Sequence, residues 1–289
     1  MFVINSKIFF SLTKVRLALS VVFSTLAGYI LAADKILVLD MLLLLVGGYC
    51  MVGASNSFNQ IIEKDKDALM NRTKNRPLPT KKITSSNAFW ISVFLTIAGL
   101  GILYTINYKT AFFAGLSVFI YTCIYTPLKS ITPLSVFVGA IPGAIPFMLG
   151  WVAATNKFGI EPGTLFMIQF FWQFPHFWAI GWFLFEDYEK GGFFMLPTGK
   201  RDKSSAIQII MYTIWTIILS VIPAFGLTGS LILSIPAAIL VFLLGVVMLY
   251  FAVLLYKKQS IKAARQLMLV SVSYITLLQI IFVVDKFSG

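Results

Sequence analysis

Apolar and polar positions fall into long alternating blocks along the chain. Nine apolar runs stand out, at approximately 11–32, 39–61, 87–106, 110–127, 133–154, 163–185, 205–225, 231–256 and 267–285. Crossing a bilayer takes about 20 residues in helical form. Lipid offers no partner to backbone N–H and C=O groups, so each run is predicted to be a helix. The expected fold class is all-α: a polytopic membrane protein of about nine transmembrane helices, forming one domain over 1–289. Only the tight turn "TPLKSITP" separates runs four and five, and Pro142, Pro146 and Pro175 fall inside runs. The repeat "GAIPGAIP" (Gly139 to Pro146) puts small residues at a spacing that lets helices approach closely.

Composition agrees with that pattern. The chain is 58% hydrophobic and 12% charged, against roughly 25% charged in a soluble domain. Its apolar surface is too large for a water-soluble core. Charge then orients the helices, because loops rich in Lys and Arg stay inside. With the N-terminus inside, all of the 23 Lys and Arg except Lys35, Lys109, Lys157 and Lys286 fall on the cytoplasmic side. The net charge of +12 therefore reports topology and gives no reason to expect a nucleic-acid partner. Cys50 and Cys123 both lie in apolar runs, as buried thiols without a disulfide framework. No cleavable signal or transit peptide is evident. The expectation is a multi-pass protein of the bacterial inner membrane, with its C-terminus outside.

Two inside loops differ from the rest. Residues 62–86 and 186–204 mix acids with bases, whereas the loop after run eight is purely basic. They are four helices apart and so emerge on one face. In the first, Asn59, Glu63 and Asp67 recur every fourth residue and line one helical face. Asn56 lies one turn earlier. Two carboxylates and a carboxamide suit a hard ion such as Mg²⁺, which takes oxygen ligands and leaves room for phosphate oxygens. Arg72 and Arg76 follow, one turn apart if the helix continues, and guanidinium forks match phosphate oxygens. A Mg²⁺-diphosphate site and a solvated, topology-setting loop both fit this spacing. Lys14 and Arg16, in "TKVR", sit at the mouth of the first helix as positive-inside anchors.

The lone histidine, His176, lies in "FFWQFPHFWAIGW" after Pro175, which should kink the helix. An ionisable side chain at membrane depth is a functional candidate, and a buried neutral histidine with a partner is the plainer reading. The aromatics around it suit packing, lipid contact, or a flat ring and an isoprenoid chain.

The stretch "NSFNQIIEKDKDALMNRTKNRPL" resembles the first aspartate-rich motif of membrane prenyltransferases of the ubiquinone-biosynthesis type. Within them it is most similar to the heme O synthase (protoheme IX farnesyltransferase) branch. The matching residues are Asn59, Glu63, Asp67, Met70, Arg72, Thr73, Arg76 and Pro77. "YTPLK" (Tyr125 to Lys129), "WQFPHF" (Trp172 to Phe177) and "EDYEKGGFFMLP" (Glu186 to Pro197) extend the likeness. The chain departs from the branch in having Glu63 for an aspartate, Ser130 for a basic residue and Phe147 for a proline. Gly191 follows Asp187 by four residues, as in that branch.

The resemblance implies helices around a central cavity and two substrates, farnesyl diphosphate and heme b, giving heme O. It implies Mg²⁺ held by Asn59, Glu63, Asp67 and Asp187. Diphosphate would be held by Arg72 and Lys129 with Tyr125, Arg16 and Lys190 beside them. Asn56, Asn59, Arg72, Arg76 and His176 carry over as catalytic matches, with Arg76 suited to a heme propionate and His176 to iron or to a water. A downstream heme A synthase or terminal oxidase assembly is the implied protein partner, in the lipid bilayer. Two alternatives stand beside it. One is a prenyltransferase for a quinone or other aromatic acceptor. The other is a non-enzymatic membrane transporter or heme-handling protein.

Overall fold

The computed structural model describes residues 5–288. Among these residues there is no β-strand, and nine long helices carry the chain back and forth. They are α1 (Val15–Ala32), α2 (Val38–Ile62), α3 (Ser85–Tyr104), α4 (Tyr108–Phe119), α5 (Ser135–Thr155), α6 (Ile160–Phe183), α7 (Lys203–Val221), α8 (Ile235–Lys258) and α9 (Ile261–Ser288). Each corresponds to one apolar run. Eight, with α4 taken together with its continuation to Leu128, are long and apolar enough to cross a membrane by length and composition. The exception is α6, whose Gln169, Gln173 and His176 dilute its hydropathy. Its flanks explain this, since α6 packs on α5, α7 and α9 and needs little lipid-facing surface.

Successive helices are neighbours, and contacts of α1 with α5 and α9 close the bundle. The outward faces carry large apolar side chains, such as Phe94 and Ile97 on α3 and Leu240, Leu243 and Val247 on α8. These face the bilayer, where exposure of apolar groups has no hydrophobic cost.

Close packing at the centre depends on glycine. A Cβ on Gly150 of α5 would stand 1.9 Å from the Thr25 carbonyl oxygen of α1, and one on Gly28 would stand 2.1 Å from the Phe147 oxygen. The two backbones touch there, so only hydrogen fits. The helix α5 also runs unbroken through Pro142 and Pro146. A proline removes the N–H bond to the carbonyl four residues earlier. Pro146 frees the Pro142 carbonyl, and the Ser117 hydroxyl of α4 donates to it at 3.2 Å.

Two irregularities lie at the end that carries the acid/base loops. The run at 11–32 is split by Lys14, which adopts a left-handed conformation (φ 51°) between a short helix, Ser6–Thr13, and α1. The run at 110–127 widens: α4 passes into a π-helical stretch, Ile120–Tyr125, and then a single helical turn, Thr126–Leu128. Such π segments are frequent at functional sites. Both irregularities turn side chains toward the same place.

Candidate active site

The acid ladder survives the end of α2. Glu63 leaves helical geometry (φ −94°, ψ 5°), and a four-residue helix, Lys64–Asp67, follows. Backbone bonds from Glu63 N to Asn59 O (3.0 Å) and Asp67 N to Glu63 O (2.7 Å) carry the four-residue spacing through the break. Asn59, Glu63 and Asp67 therefore stay on one face, and all three are buried.

Burying two carboxylates requires compensating charge. The Lys129 ammonium lies 2.6 Å from Glu63 Oε1, and Arg76 Nη1 lies 2.7 Å from Asp67 Oδ2. Neither pair saturates its acid. Glu63 Oε1 lacks hydrogen-bond geometry despite that short ion pair, and Asp67 Oδ1 is buried with no partner. Asn59 is oriented by its neighbour. Its Nδ2 donates to Thr126 Oγ at 3.2 Å, while the Thr126 hydroxyl donates to the Tyr121 carbonyl at 2.8 Å. The amide oxygen of Asn59 thus points away from that bond. An orphaned carboxylate oxygen beside a second carboxylate and an amide oxygen fits a hard divalent cation.

Beyond Asp67 the chain forms successive turns through residue 83. The helix anticipated under Arg72 and Arg76 does not continue. The Thr73 side chain, fully buried, donates to the Asp67 carbonyl and folds the loop back. In consequence the two arginines part company. Arg76 turns inward to Asp67. Arg72 is exposed, with its guanidinium 5.5 Å from the Tyr188 ring centre.

The second acid/base loop docks on the first. Both oxygens of Asp187 accept backbone N–H groups, from Asn71 at 2.7 Å and Arg72 at 3.1 Å. Asp187 was expected as a metal ligand. In the structure it fastens the Arg72 turn, and among the described residues no three His, Cys, Asp or Glu side chains form a metal-ligating group. Phe194 N donates to the Lys129 carbonyl at 2.8 Å. The Lys129 ammonium also lies 4.7 Å from the Tyr125 ring centre and 5.5 Å from that of Phe193. Arg201 clasps Glu186 through both terminal nitrogens (2.5 and 2.7 Å) and donates Nε to the Trp182 carbonyl at 2.6 Å. That clasp holds the Glu186 carboxyl below the usual range. Ser130, where the branch has a base, accepts from Lys66 of the opposite loop, so a cation still stands there.

The first-helix cation turned to this cluster is Lys14. Arg16 and Lys190, both expected on diphosphate, are exposed and make no polar contact among the described residues. Lys14 is felt by Arg76, Lys129, Glu63 and Arg72, and burial together with Arg76 and Lys129 pushes its pKa down to about 7. The break that aims it is supported from α2. Asn56 Nδ2 donates to the Thr13 carbonyl at 3.2 Å, and Gln60 Nε2 donates to that of Leu12 at 2.7 Å. Asn56 thus holds the backbone of the break. A signal for Lys14 existed in "TKVR", but only the left-handed turn distinguishes Lys14 from Arg16.

His176 lies elsewhere, on α6 against α9, stacked on Trp172 with ring centres 4.9 Å apart. A cavity of about 1300 Å³ opens at the other end of the bundle between Leu31, Trp151, Glu161 and Asp285. It lies away from the charge cluster.

Four cations and two carboxylates meet at the mouth of the helical bundle, an arrangement suited to a membrane enzyme with a phosphate-bearing substrate. Over residues 21–277 the chain matches the UbiA prenyltransferase family, and it belongs to that family. It is 64% identical over 279 residues to a protoheme IX farnesyltransferase of Christiangramia forsetii, covering 96% of this chain and 93% of that one. It is 63% identical over 282 residues to that of Flavobacterium psychrophilum, covering 96% and 94%. Among solved structures, a digeranylgeranylglyceryl phosphate synthase superposes with a TM-score of 0.81 at 21% identity, covering 98% and 99% of the two chains. An Archaeoglobus fulgidus UbiA homolog bound to DMAPP and Mg²⁺ gives 0.74 at 15% identity, covering 97% and 98%. At those identities the likeness establishes the fold.

Proposed function

We propose that this protein transfers the farnesyl group of farnesyl diphosphate to a vinyl group of heme b, giving heme O. The observation that carries the reading is the paired cluster, Glu63–Lys129 and Asp67–Arg76, with an orphaned Asp67 oxygen. It occurs in a chain 64% identical to a protoheme IX farnesyltransferase.

The residues divide the work. Asn59, Glu63 and Asp67 would hold Mg²⁺, which when bound neutralises charge on the departing diphosphate. Lys129, Arg72 and Lys14 stabilise the same negative charge as the allylic C–O bond breaks, when their interaction is strongest. Tyr125 and Phe193 flank Lys129 and hold its ammonium in place. The allylic cation then meets the heme vinyl carbon, and water adds to the resulting cation beside the ring. Trp172 and Phe177 on α6, both half-buried, offer aromatic surface to the substrates and limit water until capture, with Phe174 and Trp178 packed in the core beneath them. His176 faces heme as an iron ligand or as the base for the water.

In the cell the chain spans the inner membrane with its N-terminus and the acid/base loops cytoplasmic and its C-terminus outside. The whole chain works as one prenyltransferase domain, and its product passes to a heme A synthase or a terminal oxidase assembly. The test is to incubate membranes containing the protein with heme b and farnesyl diphosphate, with and without Mg²⁺, and to weigh the pigment. A Mg²⁺-dependent gain of a farnesyl group and a hydroxyl group, with release of the water's other proton, is expected. An unchanged heme, or prenylation of an added quinone precursor instead, would reject the proposal.

A further inference from the structure

His176 is the chain's one histidine, and a neutral imidazole has one donor and one acceptor nitrogen. Its surroundings decide which is which. Nδ1 lies 2.9 Å from the Ser271 hydroxyl oxygen on α9. That hydroxyl has a single proton, and its oxygen stands 2.7 Å from the Met268 carbonyl, one turn earlier on α9. A carbonyl can only accept, so the Ser271 proton is directed to Met268. The Ser271 oxygen then has only lone pairs to offer His176.

The arrangement is braced. Trp172, one turn before His176 on α6, donates Nε1 to the Ser271 carbonyl at 2.6 Å. Its indole also lies nearly parallel to the imidazole, at 17°. Ser271 is thus gripped through its carbonyl by one residue while its side chain meets the other. Pro175 favours motion here by removing a backbone bond from α6, which the two contacts to α9 counteract.

We infer that Ser271 is a positioning residue that fixes His176 with its proton on Nδ1 and leaves the Nε2 lone pair free as the working nitrogen. Resting on the proposed function, that nitrogen serves heme, by binding iron or by taking a proton from the water that ends the reaction. Partners that hold the second nitrogen of a metal-binding histidine typically contribute 10- to 100-fold to affinity or activity. No motif pointed to Ser271, which lies 95 residues beyond His176.

A single histidine makes the test direct. The full-length protein, labelled with ¹⁵N-histidine and reconstituted in lipid, gives one pair of ring nitrogen signals. Protonated Nδ1 and unprotonated Nε2 are expected at a pH where the ring is neutral. Ser271→Ala should mix the tautomers and weaken heme binding, seen by absorption titration, by about tenfold. Ser271→Thr keeps the hydroxyl and should restore both. A wild-type ring protonated on Nε2 overturns the inference, and so does a Ser271→Ala protein with an unchanged tautomer. The functional reading fails separately. If His176→Ala leaves heme affinity, heme spectrum and product formation unaltered while Ser271→Ala still changes the tautomer, the positioning holds and the heme role does not.

Discussion

Arg76 puts Nη1 2.7 Å from Oδ2 of Asp67, whose side chain is completely buried and whose other oxygen has no partner. This carboxylate is half committed to a cation of the protein and half available to one from solution. Asp67→Asn should therefore do two things. Turnover should fall by at least about a hundredfold, the effect of losing one charge-stabilising contact at a reacting oxygen. The melting temperature should also fall, because a buried ion pair that loses one partner costs about 3–5 kcal/mol. Assay of farnesyl transfer and a thermal melt in detergent separate the two. Full turnover at normal expression would end the metal assignment.

The divergence of Arg72 and Arg76 predicts different defects. Arg72→Lys loses a fork that reaches from the loop surface, and one ammonium cannot copy it. It should raise KM for farnesyl diphosphate and leave the Mg²⁺ requirement unchanged. Arg76→Lys alters the partner of Asp67 and should shift the Mg²⁺ concentration needed for half-maximal rate. Titrating Mg²⁺ and farnesyl diphosphate against each variant checks this. Identical shifts in both titrations would show that the two arginines act as one unit.

The legible part of this protein was whatever repeats or spaces regularly. Nine apolar runs correspond to nine long helices among the described residues because lipid admits few other solutions. The ladder of Asn59, Glu63 and Asp67 was readable because backbone bonds keep its period across the break at Glu63. The contacts that could not be read are long-range or depend on a broken helix. Lys129 reaches Glu63 from a π-helical exit, and Asp187 fastens a turn 115 residues away. Lys14 and Arg16 are equivalent as letters, and a single left-handed residue separates their roles. For the same reason the spacing of Arg72 and Arg76 does not by itself show that one turns inward and the other stays at the surface.

Close approach of α1 and α5 gives a prediction independent of chemistry. A methyl group on Gly150 would overlap the Thr25 carbonyl at 1.9 Å, a contact with backbone that no rotamer change relieves. Gly150→Ala must push the helices apart and lose packing along the interface. Overpacking of this kind costs about 1–3 kcal/mol. Gly101→Ala, where a Cβ meets nothing within 4 Å, is the control. Thermal melts should show a clear drop for Gly150→Ala and none for Gly101→Ala. Equal melting temperatures would mean the two backbones are not in contact.

Lys14 supplies a prediction in pH. Burial and the neighbouring Arg76 and Lys129 hold its pKa at about 7 before any anion arrives. A diphosphate bound among these cations favours the charged ammonium and raises that pKa. Binding therefore takes up a proton above pH 7. Below the free-site pKa, Lys14 is already charged and contributes its full attraction. As pH rises from there toward the bound-state pKa, each binding event must also recruit a proton, and affinity falls by up to about tenfold per unit. Arginine stays charged throughout, so Lys14→Arg should remove this slope. Lys14→Met should bind weakly at every pH. Farnesyl diphosphate affinity of the three proteins, measured between about pH 6 and 9 at fixed Mg²⁺, isolates the lysine, because titration of the ligand itself is common to all. If wild type and Lys14→Arg share one pH profile, Lys14 does not meet the diphosphate.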